Sequence, residues 1–522
     1  MYTILKKATA LFLALLLIFA VGCKAEDTGK DNSQDKPSDT SAPSSGKLQL
    51  LYCENDTFNP YRTISKLNSE LSLLLFDSLV KLDDNFEIHW SLAKSAKTEG
   101  NICTVTLKDA LFSDSSTVTS DDVVYSYNLA RQSAQYSHLL YEVASVSAAD
   151  SKTVVFTLSK QDINFAKLLT FPILKANSDT LKNEDNVELP PIGSGRFVLN
   201  ESHTGLQPNK NHFSGSSNIT EISLINAPGN ESMKHYVEVG ATDIYYADSK
   251  DDGLIRMSGK KKSVNLNNLV YLGINHNYAP LKSNLLRYAI SSAIDRSKLV
   301  SSAFYSNAVS ATGFFHPNWK EVSGYQTILP GADLKISIEN LENIGYNSLD
   351  KSGYRKNSSG NIVELSLLVN KDSPSKLTAA SLIAEQLKAA GIKININAVD
   401  TASYYSALSS GSFQLYVGEV KLPANMDIGP LVLAGGSAAY GMVYGAPTGE
   451  FDIETSYISV VNGLYNGTNT FADAAAALLS SMPIIPLVYR SSLVFYSGDI
   501  SDIGEVSASD IFFSVNDYKF NK

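Results

Sequence analysis

Apolar and polar residues are patterned most legibly between positions 362 and 397. The run IVELSLLV predicts a buried strand, and SKLTAASLIAEQLKAAG then switches to helical spacing. Ala380, Ile383, Ala384, Leu387 and Ala390 fall on one helical face, and Gly391 is placed to stop the helix. IKININ next alternates Ile392, Ile394 and Ile396 with Lys393, Asn395 and Asn397, the period of a half-buried strand. Strand, helix and strand with short joints predict a right-handed crossover in one sheet, so the body reads as mixed α/β.

A second apolar stripe runs through SNLLRYAISSAIDRSKLV, residues 283 to 300, and predicts a single helix. Ser283 or Asn284 can cap it, and Leu286, Ala289, Ile290, Ala293 and Ile294 form its buried face. Arg287, Asp295 and Arg296 are expected in surface or interdomain ion pairs. The β-rich run LVYLGIN precedes this helix and ends at Asn275. Earlier, ICTVTL (102–107) and TVVFTL (153–158) alternate as strands do.

Between those strands Asp109, Asp114, Asp121 and Asp122 pose a choice between metal ligands, catalytic acids and helix punctuation. Thr119 is followed three residues later by Asp122, and then by Val123, Val124 and Tyr127, which is a capping-box pattern. Asp121 and Asp122 also suit the positive end of a helix dipole. The D-x-[DN]-x-[DN]-G register of a calcium loop is absent, so punctuation is the expectation.

The N-terminus has a different character. Lys6 and Lys7 precede an apolar run from Leu11 to Val21, which predicts a secretory signal over 1–22, too short to span a bilayer. The end of that run, FAVGC, resembles a bacterial lipobox, in which Cys23 is lipidated. Residues 24 to 47 contain only Ala25 and Ala42 as non-proline apolar residues, so the segment 23–47 is expected to be a disordered tether led by the lipidated Cys23. The layout is that of a protein working just outside a membrane. The body from Leu48 to Lys522 is too long for one core and predicts two or three domains.

A formal charge of −10, or −12 once Lys6 and Lys7 leave with the signal, argues against nucleic acid as a partner. Cys53 and Cys103 read as separate thiols, not a disulfide scaffold. No G-x-S-x-G, P-loop, G-x-G-x-x-G or H-E-x-x-H occurs; in IGSGR the glycines flank Ser194 directly, as in a turn. The 7 histidines are scattered, so neither a hydrolase nor a bare-metal receptor is expected, and no cofactor or metal site.

ALFSDSSTVTSDDVVYSYNLA resembles the signature of the family 5 extracellular solute-binding proteins, close to F-H-D-G-x-x-x-T-A-x-D-V. Phe112, Asp114, Thr119, Asp122 and Val123 match, with Ser113 in place of the histidine and Ser115 in place of the glycine. The resemblance continues in FNPY (58–61), LLLFDSLVKLDDNFEIHWSLAKS (73–95), IGSGRF (192–197, where the family often has I-G-T-G-P-Y), YLGINHN with LLRYAISSAIDRSKLV, and MPIIPLVY. These blocks, in order, cover nearly the whole mature chain.

The resemblance implies a two-lobed, periplasmic-binding-protein-like α/β fold of the class II (cluster C) type. Domain I would comprise 48–80, 190–270 and 490–522, domain II an insertion at 81–189, and domain III 271–489. Ligand would lie between domains I and III, with hinge closure absorbed near Val270 and Val488. The implied function is that of an extracellular substrate-binding lipoprotein, monomeric and lipid-anchored at the membrane's outer face, which delivers short peptides to an ABC permease. A nickel chelate, an oligosaccharide or a signalling peptide are the alternative ligands.

In peptide-binding relatives the acid that meets the ligand's ammonium lies in a segment resembling W-x-A-D-Y-x-x-P. Here LYVGEVKLPANMDIGPL (415–431) can be laid on it, with Glu419 as first candidate and Asp427 as second. Asn59 and Tyr61 of FNPY, and Gly436 and Tyr440 of GGSAAYG (435–441), are further candidates. With 27 tyrosines against 2 tryptophans, the chain is well supplied with amphipathic pocket walls.

Overall fold

In the computed structural model, which describes residues 46–248, 257–323, 329, 331–442 and 456–521, the apolar faces sort into three large cores. The predicted signal and Cys23 lie outside the described residues.

One core, that of the split lobe, is assembled from three distant stretches, Leu48 to Phe76, Leu174 to Val264 and Val494 to Tyr518. Its four-stranded sheet runs Gly46–Tyr52, Ile219–Asn226, Gly205–Pro208, Phe197–Leu199, the first pair parallel. The first strand starts inside the predicted tether, because Gly46 and Lys47 find partners at Ile219 and Glu221 and Lys47 is 2.8 Å from the Glu221 carboxylate.

A second core takes residues from Leu79 to Ile173. Its antiparallel sheet is ordered Ala93–Glu99, Ile102–Leu107, Thr153–Leu158, Val143–Asp150, so ICTVTL and TVVFTL pair directly. The helix Ser120–Ala130 covers it and starts as the capping box predicts. The Asp122 carboxylate accepts from the Thr119 backbone N–H (2.9 Å), the Thr119 hydroxyl (2.7 Å) and the Ala176 N–H (2.9 Å). One aspartate thus starts the helix and pins the loop that leaves this antiparallel unit. Asp114 accepts from Ser116 and Lys175, and Asp109 faces solvent 3.3 Å from Lys152.

The third and largest core surrounds a seven-stranded sheet and forms the large lobe. The order is Ile244–Ala247, Ile485–Tyr496, Lys260–Ile274, Leu415–Lys421, Glu364–Asn370, Lys393–Val399, with Ala308–Ser310 also on Ile485–Tyr496. Glu364–Asn370 and Lys393–Val399 are parallel, joined by the helix Pro374–Ala389. Gly391 follows that helix at φ +85°, a conformation that costs glycine little. Lys393–Val399 is an edge strand, and Ile396 is exposed despite its alternation, because no layer covers it.

Lys260–Ile274 and Ile485–Tyr496 belong to two cores at once. Val264 and Val494 pack in the split lobe, whereas Leu269 to Ile274 and Ile485 to Tyr489 pack in the large one. Val270 stands opposite Val488, and the ladder breaks register between Asn265 and Leu269 and again between Val270 and Tyr271. These are the crossing strands.

Two expectations for the 283–300 segment are corrected. The segment forms two helices, Asn284–Ala293 and Arg296–Ser302, because Ile294 is extended (φ −91°, ψ 115°) and Asp295 caps the second by accepting from the Lys298 N–H. Arg287 and Arg296 are buried, and neither pairs with a carboxylate among the described residues. Arg287 donates to the carbonyls of Leu281 (2.7 Å), Lys282 (2.8 Å) and Ser481 (2.7 Å), the last at the end of helix Phe471–Ser481. Arg296 donates to the Pro486 carbonyl (2.9 Å) and to Ser291 near the end of its own preceding helix. Cations set on the carbonyl ends of helices offset part of the cost of burying them, and burial lowers each guanidinium to about 10.

The IGSGRF block has a packing reason. A Cβ on Gly193 would lie 2.1 Å from the Leu75 carbonyl oxygen, and one on Gly195 2.3 Å from that of Leu74. Beside it the Asp77 carboxylate meets His212 (3.2 Å) and Lys81 (3.5 Å), and Asp510 meets Arg196 (2.7 Å) and Lys81 (3.0 Å). Burial pushes the Asp77 carboxyl up, but the His212 hydrogen bond and the Lys81 charge outweigh it and hold it at about 2. Cys53 and Cys103 are free thiols. Among the described residues no helix is long and apolar enough to cross a membrane.

Candidate ligand-binding site

Strand Leu415–Lys421 carries the first candidate and has an incompletely covered edge. It pairs with Lys260–Ile274 along its length, but its pairing with Glu364–Asn370 involves only Leu415 and Tyr416. Main-chain groups alternate in direction along an antiparallel pair. Gln414 and Leu422 bond toward Lys260–Ile274, while the Val417 carbonyl turns the other way and accepts from the Tyr404 hydroxyl at 2.7 Å. By that parity the main-chain groups of Glu419 point away from Lys260–Ile274, past the end of the neighbouring strand.

The Glu419 carboxylate lies 2.9 Å from Lys376 Nζ, 3.8 Å from Arg490 and 3.4 Å from the Asn268 amide nitrogen. Burial pushes its carboxyl up, but Lys376 and Arg490 outweigh burial and hold it below the usual range, so it is ionised at neutral pH. On the opposite face of the same strands Tyr271 and Tyr416 meet edge to face with their hydroxyls 3.2 Å apart. The packing requires glycine: a Cβ on Gly273 would stand 1.9 Å from the Tyr416 ring, and one on Gly418 2.5 Å from that of Tyr271. Tyr440 extends this aromatic group, edge-on to Tyr416 at 6.3 Å. Gly436 faces its own loop, where a Cβ would lie 2.4 Å from the Pro430 carbonyl oxygen.

Asp427 sits elsewhere, at a seam between the antiparallel unit and the large lobe. Its carboxylate, 1% exposed, accepts from the hydroxyls of Tyr141 (3.1 Å) and Tyr465 and from the Gly429 N–H (2.8 Å), with Lys160 Nζ at 3.6 Å. A small cavity beside it is lined by Asp162, Asn425 and Tyr465 among others. Met426, just before, adopts φ +62°, a strained conformation for a long side chain. Asn59 and Tyr61 form a turn: Asn59 Oδ1 accepts from the Tyr61 N–H at 3.0 Å, and the Tyr61 hydroxyl donates to the Pro172 carbonyl. The Tyr61 ring packs on Tyr136 at 5.6 Å, which fastens the split lobe to the antiparallel unit.

The structure therefore does not bring the candidates to one point. Glu419 and Tyr440 share the large lobe, Asp427 belongs to the seam, and Asn59 and Tyr61 to a different junction. Lys376, Arg490 and Asn268 around Glu419, and Lys160, Tyr141 and Tyr465 around Asp427, carry no local sequence signal. Among the described residues no three histidine, cysteine or acidic side chains gather to hold a metal ion.

Residues 87–427 match the family model of bacterial extracellular solute-binding proteins, family 5 middle. The chain is 23% identical over 419 residues to the oligopeptide-binding protein AppA of Bacillus subtilis, covering 76% of this chain and 77% of that protein. The structure of that AppA in complex with a nonapeptide superposes with a TM-score of 0.54 at 19% identity, over 91% of this chain and 99% of the other. A nickel ABC transporter structure from Bacillus halodurans superposes with a TM-score of 0.71 at 18% identity, over 88% and 96%. The shared fold is the two-lobed α/β architecture of periplasmic binding proteins.

Proposed function

The chain belongs to the bacterial extracellular solute-binding proteins of family 5, which are transport receptors of ABC importers and not enzymes, and from that membership we propose that it captures short peptides between its lobes and hands them to a membrane permease. The observation that carries this reading is the strand Leu415–Lys421, where outward main-chain groups and an ionised glutamate occur together at Glu419. An extended peptide presents main-chain donors and acceptors that add to such an edge irrespective of its side chains. Its ammonium end needs a carboxylate. Glu419, 18% exposed against 1% for Asp427, is the more accessible of the two acids.

Closure takes place about the crossing strands near Val270 and Val488, between domain I (48–80, 190–270, 490–522) and domain III (271–489), with domain II (81–189) carried as an insertion. Cys23 holds the lipid, and the receptor works as a monomer at the outer face of the membrane. The test is thermal unfolding with a panel of defined peptides of two to nine residues. Ligand at about a hundred times its Kd adds about 2.7 kcal/mol by mass action, a rise of several degrees in Tm. No rise with any peptide, set against a rise with a nickel chelate or an oligosaccharide, overturns the peptide assignment.

A further inference from the structure

The antiparallel unit is spliced into the chain on the split-lobe side: its core ends at Leu79 and Ile173, and Phe76 and Leu174 on either side pack in the split lobe. Tyr61 to Pro172 and Lys81 to Asp510 (3.0 Å) add side-chain ties between the same two bodies. Any swing of the large lobe about the crossing strands therefore moves it past the antiparallel unit as well as past the split lobe.

Across that boundary two lysines of the antiparallel unit enter two sockets of the same design. Lys160 Nζ stands 3.8 Å from the centroid of the Tyr465 ring and 3.6 Å from the Asp427 carboxylate, steadied from its own side by Glu142 at 3.1 Å. Lys167 Nζ stands 5.0 Å from the centroid of the Trp319 ring and 3.9 Å from the Glu321 carboxylate. A cation over an aromatic face beside a carboxylate gains more when water is excluded. Uncharged donors also bond to carboxylates at the first socket, Tyr141 to Asp427 at 3.1 Å and Asn425 to Asp162 at 2.7 Å.

We propose that the antiparallel unit is a clasp, in which Lys160 and Lys167 plug into the Tyr465–Asp427 and Trp319–Glu321 sockets of the large lobe and hold the lobes together before any ligand arrives. Lys167 is 6% exposed on its side chain, so separating the surfaces restores its hydration as it removes its partners. Burial pulls the Lys167 ammonium down and pushes the Glu321 carboxyl up, as expected of charges desolvated between two surfaces. A clasp of this kind sets how often the empty receptor opens, and hence how fast ligand enters and leaves. The proposal rests on hinge motion about the crossing strands but not on which ligand is bound.

The test uses spin labels at Ser147→Cys in the antiparallel unit and Ala389→Cys in the large lobe, in the full chain with Cys23 and Cys53 changed to serine. Distances are measured without ligand and with a nonapeptide. The expected result is a mainly short distance without ligand, with the short population falling about fivefold in Lys160→Met plus Lys167→Met. Lys160→Met alone, at a side chain 41% exposed, should give a smaller shift in the same direction with the fold intact. Lys94→Met, an exposed cation of the same sheet, should change nothing. Distances that answer to peptide but not to either lysine overturn the clasp and leave the hinge standing. Distances that answer to neither peptide nor lysine overturn the clasp, whichever ligand the receptor takes. An equal shift from Lys94→Met also overturns the clasp, since bulk charge would explain it.

Discussion

Glu419 and Lys376 meet at 2.9 Å, the glutamate on a central strand and the lysine in the first turn of the helix Pro374–Ala389. Lys376 and Arg490 both approach Oε2 of the carboxylate on which an incoming ammonium would settle, and the Asn268 amide approaches Oε1 at 3.4 Å. A guest bound there as proposed would compete with the lysine for one anion.

That competition gives opposite signs to two substitutions. Glu419→Gln should weaken peptides with free amino termini by more than tenfold and acetylated peptides far less, since the lost contact is charge-assisted. Lys376→Met should tighten free-amine peptides a few-fold by removing the rival cation. Titration calorimetry with matched free and acetylated peptides checks both, and equal losses for the two peptide forms in Glu419→Gln would remove Glu419 from the site.

Ser115 takes the place of the glycine in the F-H-D-G wording its segment resembles, and its φ is +70°. The left-handed region costs an L-residue about 1–2 kcal/mol, and here Asn211 Nδ2 donates to the Ser115 hydroxyl at 3.0 Å in partial compensation. Ser115→Val, which adds β-branching and removes that acceptor, should destabilise by about 1–2 kcal/mol. Ser115→Gly should stay within about 0.5 kcal/mol of the parent. Urea unfolding of the three proteins decides the matter, and a neutral valine variant would refute the strain argument.

The Asp77 cluster predicts acid sensitivity of a definite sign. A carboxyl held at about 2 in the fold, against the ordinary 3.8, contributes stability that is complete above about pH 4 and is lost as the pH falls toward 2. The contribution is about 2 kcal/mol. Between pH 6 and pH 2.5 the unfolding free energy should fall by about that amount more in the parent than in Asp77→Asn, since other carboxyls held low in the fold, such as Asp114, are common to both. The variant starts lower throughout, because it leaves Lys81 without one of its two carboxylates.

Local chemistry was legible wherever partners lie close in sequence. The strands 102–107 and 153–158, the Thr119–Asp122 cap and the helix before Gly391 all follow from short-range periodicity and turn chemistry. The break at Ile294 was also locally encoded, since Asp295 is a helix-capping residue, but the apolar stripe running through it obscured the signal. Arg287 and Arg296 misled because their partners are carbonyls, which no residue pattern displays. Ile396 alternates as a buried residue would, yet whether a layer covers a strand is decided by the rest of the fold. The surroundings of Glu419 and Asp427 come from segments far apart in the chain, so residue types alone could nominate the acids but not the ions that neutralise them.

The split lobe has a consequence for how the molecule comes into being. Its opening strand Gly46–Tyr52 pairs in parallel with Ile219–Asn226, and its packing is completed only by Val494 to Tyr518. A chain emerging from its amino end therefore carries an unfinished, sticky half until the last residues appear. Loss of even a short carboxyl-terminal piece should yield an aggregation-prone product rather than a receptor with one lobe missing.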